Sequence, residues 1–79
     1  MNRTQIHQAI LNRIQKLPET EATKEFLSDV QHLCDMDSDQ SLPGINASVW
    51  LDKLYAMPDN KLEWYAMQYV KGRLDPFKG

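Results

Sequence analysis

The sequence has little cysteine, little glycine and no long apolar run. Because Cys34 is the only cysteine, an intrachain disulfide is excluded, and a reducing compartment, most simply the cytoplasm, is expected. Glycine occurs only at positions 44, 72 and 79, so no glycine-rich loop is available to cradle a phosphate group. No stretch approaches the roughly 18 consecutive apolar residues of a membrane-spanning helix, so we expect no contact with a membrane.

The composition is otherwise that of a small globular domain. Hydrophobic residues make up 42% of the 79 residues and charged residues 25%, unlike the low-hydrophobicity composition of disordered chains. We therefore expect one domain over residues 1–79. A chain of this length buries a modest core and has a thin margin of stability.

The net charge is −2, but the charged residues are distributed unevenly along the chain. Residues 19–39 contain seven acids and one base, Lys24. This acidic middle disfavours contact with nucleic acid there and would suit a basic partner. The seven acids are Glu19, Glu21, Glu25, Asp29, Asp35, Asp37 and Asp39.

Apolar residues recur with helical spacing in the first half of the chain. A helix over residues 3–17 is predicted by a stripe with spacings of four, four and three, formed by Ile6, Ile10, Ile14 and Leu17. Asn2 or Thr4 can cap its start, and Pro18 ends it because the residue before a proline is disfavoured in the α region. A second helix over 20–35, with Thr20 as its N-cap, is predicted by Phe26, Leu27, Val30, Leu33 and Cys34.

The middle of the chain is predicted to turn before a third helix begins. Residues 35–44 are polar and rich in turn-forming residues. Asn46 can then cap a helix over 46–57, and Pro58 ends that helix in the same way as the earlier proline.

A fourth helix is predicted over residues 60–72. Asn60 and Glu63 have the spacing of a capping box, and Gly72 is suited to stop the helix at its C-terminal end. Residues 73–79, which contain an Asp-Pro pair, are predicted to form a short irregular tail.

The two halves of the chain resemble each other. Residues 10–14 and 17–19 align without gaps on residues 50–54 and 57–59, at an offset of 40 residues. Each half predicts a helix, a proline corner and a second helix, either by duplication or by convergence. We therefore predict an all-α fold, a compact four-helix bundle of two consecutive αα-hairpins. Its predicted core contains Ile6, Ile10, Ile14, Leu17, Phe26, Val30, Leu33, Leu51, Leu54, Leu62 and Ala66.

One short pattern, an aspartate at every second position from 35 to 39, is a candidate metal site. Asp35, Asp37 and Asp39 are spaced like the first ligands of a calcium loop. However, Gln40 stands where such a loop needs glycine, and Asn46 stands where a bidentate glutamate should close the site. These three aspartates are therefore only a weak metal candidate, and a solvated acidic loop is the expectation.

Catalytic groups and cofactor motifs are not recognisable in the sequence. His32 and Cys34 are two positions apart on a predicted helix and point to different sides, and no second Cys/His pair completes a metal site. Cys34 is expected to be a small buried hydrophobe, and His7 and His32 are expected to be partly exposed. We expect neither enzymatic activity nor a cofactor.

Aromatic residues suggest an exposed contact surface on the fourth helix. Trp64, Tyr65 and Tyr69 spread over a wider arc than one helix seam usually buries. Because Trp and Tyr are common anchors of protein interfaces, a partner surface or a homodimer seam is expected there.

Two functional hypotheses follow. The first is a non-catalytic protein-binding module, such as an inhibitor, immunity protein, adaptor or host-directed regulator, that presents an acidic face to a basic partner. Its contact residues would be the seven acids of residues 19–39 together with Trp64 and Tyr65. The alternative is a small DNA- or RNA-binding transcriptional regulator that uses bases near the two chain ends. These bases are Arg3, Arg13, Lys16, Lys71, Arg73 and Lys78.

Overall fold

The computed structural model describes residues 2–39 and 47–74 and contains four α-helices in these ranges. Their bounds are α1 Arg3–Gln15, α2 Glu21–Ser38, α3 Ala47–Ala56 and α4 Asp59–Met67. The described ranges contain no strand. Helices α1 and α2 pack on each other, and each also packs on α3 and α4. The predicted all-α, four-helix bundle is therefore confirmed.

Two predicted helix caps are confirmed. The Asn2 side chain accepts a hydrogen bond from the Gln5 amide at 2.9 Å, and the Gln5 side chain accepts one from the Asn2 amide at 3.1 Å. Thr20 and Thr23 form the same reciprocal arrangement at the start of α2, with distances of 3.1 and 2.8 Å. Each pair satisfies amides that have no partner within the helix, and so fixes where the helix begins.

Helix α2 is longer than predicted. It continues through Ser38, and the amide of Asp39 donates to the carbonyl of Asp35 at 3.0 Å. Asp35 and Asp37 are therefore helical rather than part of a turn. Residues 40–44 and the predicted cap Asn46 lie outside the described residues.

Helix α4 is shorter than predicted and begins differently. Pro58 occupies its N-cap position without a side-chain hydrogen bond, and Asn60 instead accepts from the amide of Lys61 at 2.9 Å, so the predicted capping box is wrong. The helix ends at Met67, and the next residue, Gln68, has a φ of −107° and lies outside the helical region. Gly72 forms a separate turn with φ of +81°, a conformation that costs glycine little.

The core consists largely of the predicted residues. Of these, only Ile6 and Leu17 are partly rather than fully buried. The Phe26 ring lies at the centre of an aromatic group, with centroids 5.5 Å from Tyr65 and 5.1 Å from Tyr69. Leu74, in the predicted tail, is fully buried and ties the end of the described chain to the core. The other buried hydrophobic residues are Cys34, Ala47 and Tyr69.

The two proline corners share one backbone turn. The amide of Leu17 donates to the carbonyl of Ile14 at 3.0 Å, and the amide of Met57 donates to that of Leu54 at 3.2 Å. These bonds are 40 residues apart, which matches the offset between the halves. Beyond the prolines the halves differ, since α2 begins three residues after Pro18 and α4 begins one residue after Pro58.

Arg13 connects α1 to the second corner. Its guanidinium donates to the carbonyls of Tyr55 at 3.2 Å and Met57 at 2.5 Å, and to the Asp59 carboxylate at 3.0 Å. Carbonyls at a helix C-terminus have no partner within the helix, so this side chain satisfies groups that α3 leaves open. The planar fork of arginine suits it to several acceptors at once.

We predict that Arg13→Lys lowers the free energy of unfolding by about 1–2 kcal/mol, because lysine keeps the charge but loses the fork. Urea denaturation measures the change. Lys16→Gln is the matched control, since Lys16 is exposed, and it should change stability by about 0.5 kcal/mol or less. Equal effects of the two substitutions would contradict a structural role for Arg13.

Candidate interaction surface

The water-facing side of α2 carries acids near both of its ends, with exposed Ser28 and His32 between them. Glu21 and Asp35 are exposed, Glu25 is half-buried, and Asp39 is exposed directly after the helix. Their spacings of 4, 10 and 4 residues put them on one side of a helix with 3.6 residues per turn. We call these four residues the α2 outer face. At 1.5 Å per residue the face extends about 27 Å.

Glu19 lies before α2 and is not part of this face. Its carboxylate is 3.4 Å from the Lys24 ammonium, and both side chains are largely exposed. Exposed pairs of this kind contribute little to stability, typically below about 1 kcal/mol. Glu19 therefore remains at the surface with its charge locally balanced.

The prediction that Asp29 lies on the acidic surface is wrong. This residue is only 5% exposed, and its carboxylate accepts hydrogen bonds from the Tyr69 hydroxyl and, at 3.2 Å, from the Gly72 amide. Asp29 follows Phe26 by three residues and precedes Leu33 by four, so it lies at the edge of the buried side of α2. Burial, followed by the neighbouring Asp29 carboxylate, raises the pKa of Tyr69, so this hydroxyl stays a hydrogen-bond donor to higher pH than an ordinary tyrosine would.

Asp37 is also withdrawn from the predicted surface. Its Oδ2 accepts a hydrogen bond from Arg3 Nε at 2.9 Å and lies 2.6 Å from His7 Nε2. The Asp37 side chain is 10% exposed and His7 is buried, so the expectation that His7 is partly exposed is wrong. Arg3 also donates to Asp52 at 2.7 Å, so the cluster joins α1, α2 and α3.

The aspartate pattern does not assemble as a metal site. Asp35 and Asp37 are two positions apart on α2, and Asp37 is turned inward toward Arg3 and His7. Within residues 2–39 and 47–74, no group of three or more His, Cys, Asp or Glu side chains is arranged to hold a metal ion.

Because Asp37 is bonded to Arg3 and His7, the free energy of unfolding should depend on pH in the acid range. Burial alone would raise the pKa of Asp37, but hydrogen bonds from His7 and Arg3 outweigh burial and hold this pKa below its usual value. An aspartate in an unfolded chain has a pKa of about 3.9. Because the folded value is lower, the carboxylate stabilises the fold above the unfolded pKa, and this contribution is lost as the pH falls through the folded pKa.

We predict that Asp37→Asn lowers the free energy of unfolding by about 1–3 kcal/mol at neutral pH, since charge-assisted hydrogen bonds are lost. The difference from wild type should shrink as the pH falls below about 4. Denaturant titrations at a series of pH values test this, with exposed Glu63→Gln as the control. A difference that stays constant across the acid range would contradict the role assigned to Asp37.

Cys34 is buried, and its thiol is unsuited to nucleophilic chemistry. Burial, with smaller effects from Asp35 and Asp37, raises the pKa of Cys34 to about 11, so the reactive thiolate is rare at neutral pH. His32 is exposed on α2, on a different side of the helix from the thiol. The structure therefore does not bring these two residues together.

A groove lies beside the first turns of α2. The bonds from Tyr69 and Gly72 to Asp29 hold residues 69–72, the latch segment, against α2. The positive φ of Gly72 lets the chain turn so that its amide reaches the carboxylate. Val70 is 60% exposed although its neighbour Tyr69 is buried. This α2 groove is lined by Glu21, Ala22, Glu25, Tyr69, Val70 and Lys71.

The two aromatic residues predicted to contact a partner have different environments. Trp64 is 60% exposed, on the same side of α4 as the partly exposed Met67. Tyr65 is partly buried, with its ring against Phe26 and Tyr69. Trp64 is therefore available for contact, whereas Tyr65 belongs mainly to the core.

Two of the bases proposed for nucleic-acid contact are engaged within the fold. Arg3 bonds to Asp37 and Asp52, and Arg13 bonds to carbonyls at the end of α3. Lys16 and Lys71 are exposed. Lys78 lies outside the described residues. Because Arg3 and Arg13 already donate to groups within the fold, they are less available to a phosphate backbone.

Comparisons with protein-family models, curated protein sequences and solved structures give no match to this chain. Among residues 2–39 and 47–74, no helix combines the length and the apolar character needed to cross a bilayer. The chemistry of the surface is therefore the basis for a functional proposal.

Proposed function

We propose that this protein is a non-catalytic protein-binding module whose α2 outer face binds a basic partner. The observation that carries the proposal is the division of the acids on α2. Asp29 and Asp37 face inward and are bonded within the fold, whereas Glu21, Glu25 and Asp35 form no ion pair with any cation in the described ranges. Carboxylates that the fold does not use remain available to a partner.

The arrangement of these acids suits electrostatic recognition. The carboxylates of Glu21, Glu25 and Asp35 lie on one side of a helix, and together they produce a negative potential that attracts a basic protein before contact. Such complementarity raises the association rate and improves selectivity more than it raises affinity. A face about 27 Å long is comparable in length with one side of a standard interface of about 800 Å².

The alternative of nucleic-acid binding has weaker support. Binding to a phosphate backbone requires several free cations on one surface, and Arg3 and Arg13 already donate to groups within the chain. An inhibitor, immunity protein, adaptor or host-directed regulator would all share the proposed property. The identity of the partner would distinguish among them.

Affinity capture from a cell extract with two matched double variants tests the proposal. Glu25→Gln with Asp35→Asn removes two charges from the α2 outer face, and Glu19→Gln with Glu63→Gln removes two exposed charges elsewhere. We expect a basic protein whose recovery and association rate fall several-fold for the first variant only, with stronger binding at low salt. Equal losses for both variants, or capture of nucleic acid in place of protein, would contradict the proposal.

A further inference from the structure

The α2 groove combines unpaired carboxylates with an exposed apolar side chain. We propose that it binds a partner segment in which an arginine lies beside an apolar residue. This inference rests on the proposed function and assigns the chemistry of one part of the same face. Its occupant is inferred from charge complementarity and from the apolar wall that faces the carboxylates.

Glu21 and Glu25 form the charged wall of the groove. They are four residues apart on α2, so their Cβ atoms lie about 6 Å apart and the two like charges repel each other. The nearest cation along the helix, Lys24, pairs with Glu19 instead. Lys71 lines the groove but forms no ion pair with either glutamate. A partner cation between the carboxylates would relieve the repulsion.

Arginine fits this pair better than lysine does. Its planar guanidinium presents several N–H groups in a fork and can donate to two carboxylates together. Its aliphatic stem packs on apolar surface while the charged end remains hydrated. Ala22 lies between the two glutamates in sequence and lines the groove, so it offers the stem a contact without bulk.

Val70 forms the apolar wall. A β-branched side chain that is 60% exposed leaves hydrocarbon in water, and an apolar residue of the partner would cover it. The bonds of Tyr69 and Gly72 to Asp29 hold this wall in place before any partner arrives. A groove that is already formed loses less conformational entropy on binding than a flexible segment would.

Substitution of Lys71 tests whether charge controls binding in the groove, because the expected change in affinity has a definite sign. It lies on the rim of the groove and repels a partner cation. Lys71→Gln should therefore strengthen binding, whereas a residue that merely contributed contact area would weaken binding when truncated. Few substitutions at an interface are expected to tighten it, so the sign of this effect is diagnostic.

The experiment is an NMR titration of the ¹⁵N-labelled protein with a short helical peptide that carries one arginine and a neighbouring leucine. Two matched peptides replace the arginine by citrulline, its neutral analogue, or the leucine by serine. We expect shift changes concentrated at residues 21–25 and 69–72, with the dissociation constant raised about tenfold by citrulline or by Glu21→Gln with Glu25→Gln. Val70→Thr, which preserves shape, should weaken binding, and Lys71→Gln should tighten it.

Other results would overturn the groove assignment. Equal affinity of the arginine and citrulline peptides, or no binding at about millimolar peptide, would reject it. Shift changes centred on Asp35 and Asp39 would also reject it while leaving the proposed function standing. If the proposed function itself is wrong, the paired charge variants in the capture experiment will behave alike, so the two failures are distinguishable.

Discussion

The buried carboxylate of Asp29 is the interaction on which the proposed surface depends. It accepts hydrogen bonds from the Tyr69 hydroxyl and the Gly72 amide, which lie 40 and 43 positions further along the chain. A buried carboxylate without such partners would cost several kcal/mol, so the bonds decide where residues 69–72 can lie. Tyr69 then reaches the Phe26 ring, and Val70 is left facing water beside Glu21 and Glu25.

Helix α2 therefore uses its acids in two ways. On the inner side, Asp29 fixes the latch segment and Asp37 joins α2 to Arg3 and His7. On the outer side, Glu21, Glu25 and Asp35 form no ion pair with a cation in residues 2–39 and 47–74. The acidic middle of the sequence is thus two sets of residues: one holds the bundle together, and the other supports the proposal of a basic partner.

Apolar spacing was enough to predict the four helices and most of the core, because burial of one helix side depends mainly on periodicity. The caps at Asn2 and Thr20 were also predictable, since they are local patterns. The positions of Asp29, Asp37 and His7 carried an overlooked signal. Each lies three or four residues from a core residue, Phe26, Leu33 or Ile10, and this spacing predicts burial even for a polar side chain. Their partners, 30 or more residues away, leave no local pattern to read.

The end of α4 shows a second limit of sequence patterns. Tyr69 and Val70 continue helical spacing, yet the helix ends at Met67, because Tyr69 bonds to Asp29 from outside the helix. Hydrogen exchange of the Gly72 amide tests this account most directly, since that amide donates to the buried carboxylate. We expect this amide to exchange far more slowly than that of an unstructured glycine, at a rate approaching that of the α2 amides. Exchange at the unstructured rate would contradict it, because the latch segment would then not be held against α2.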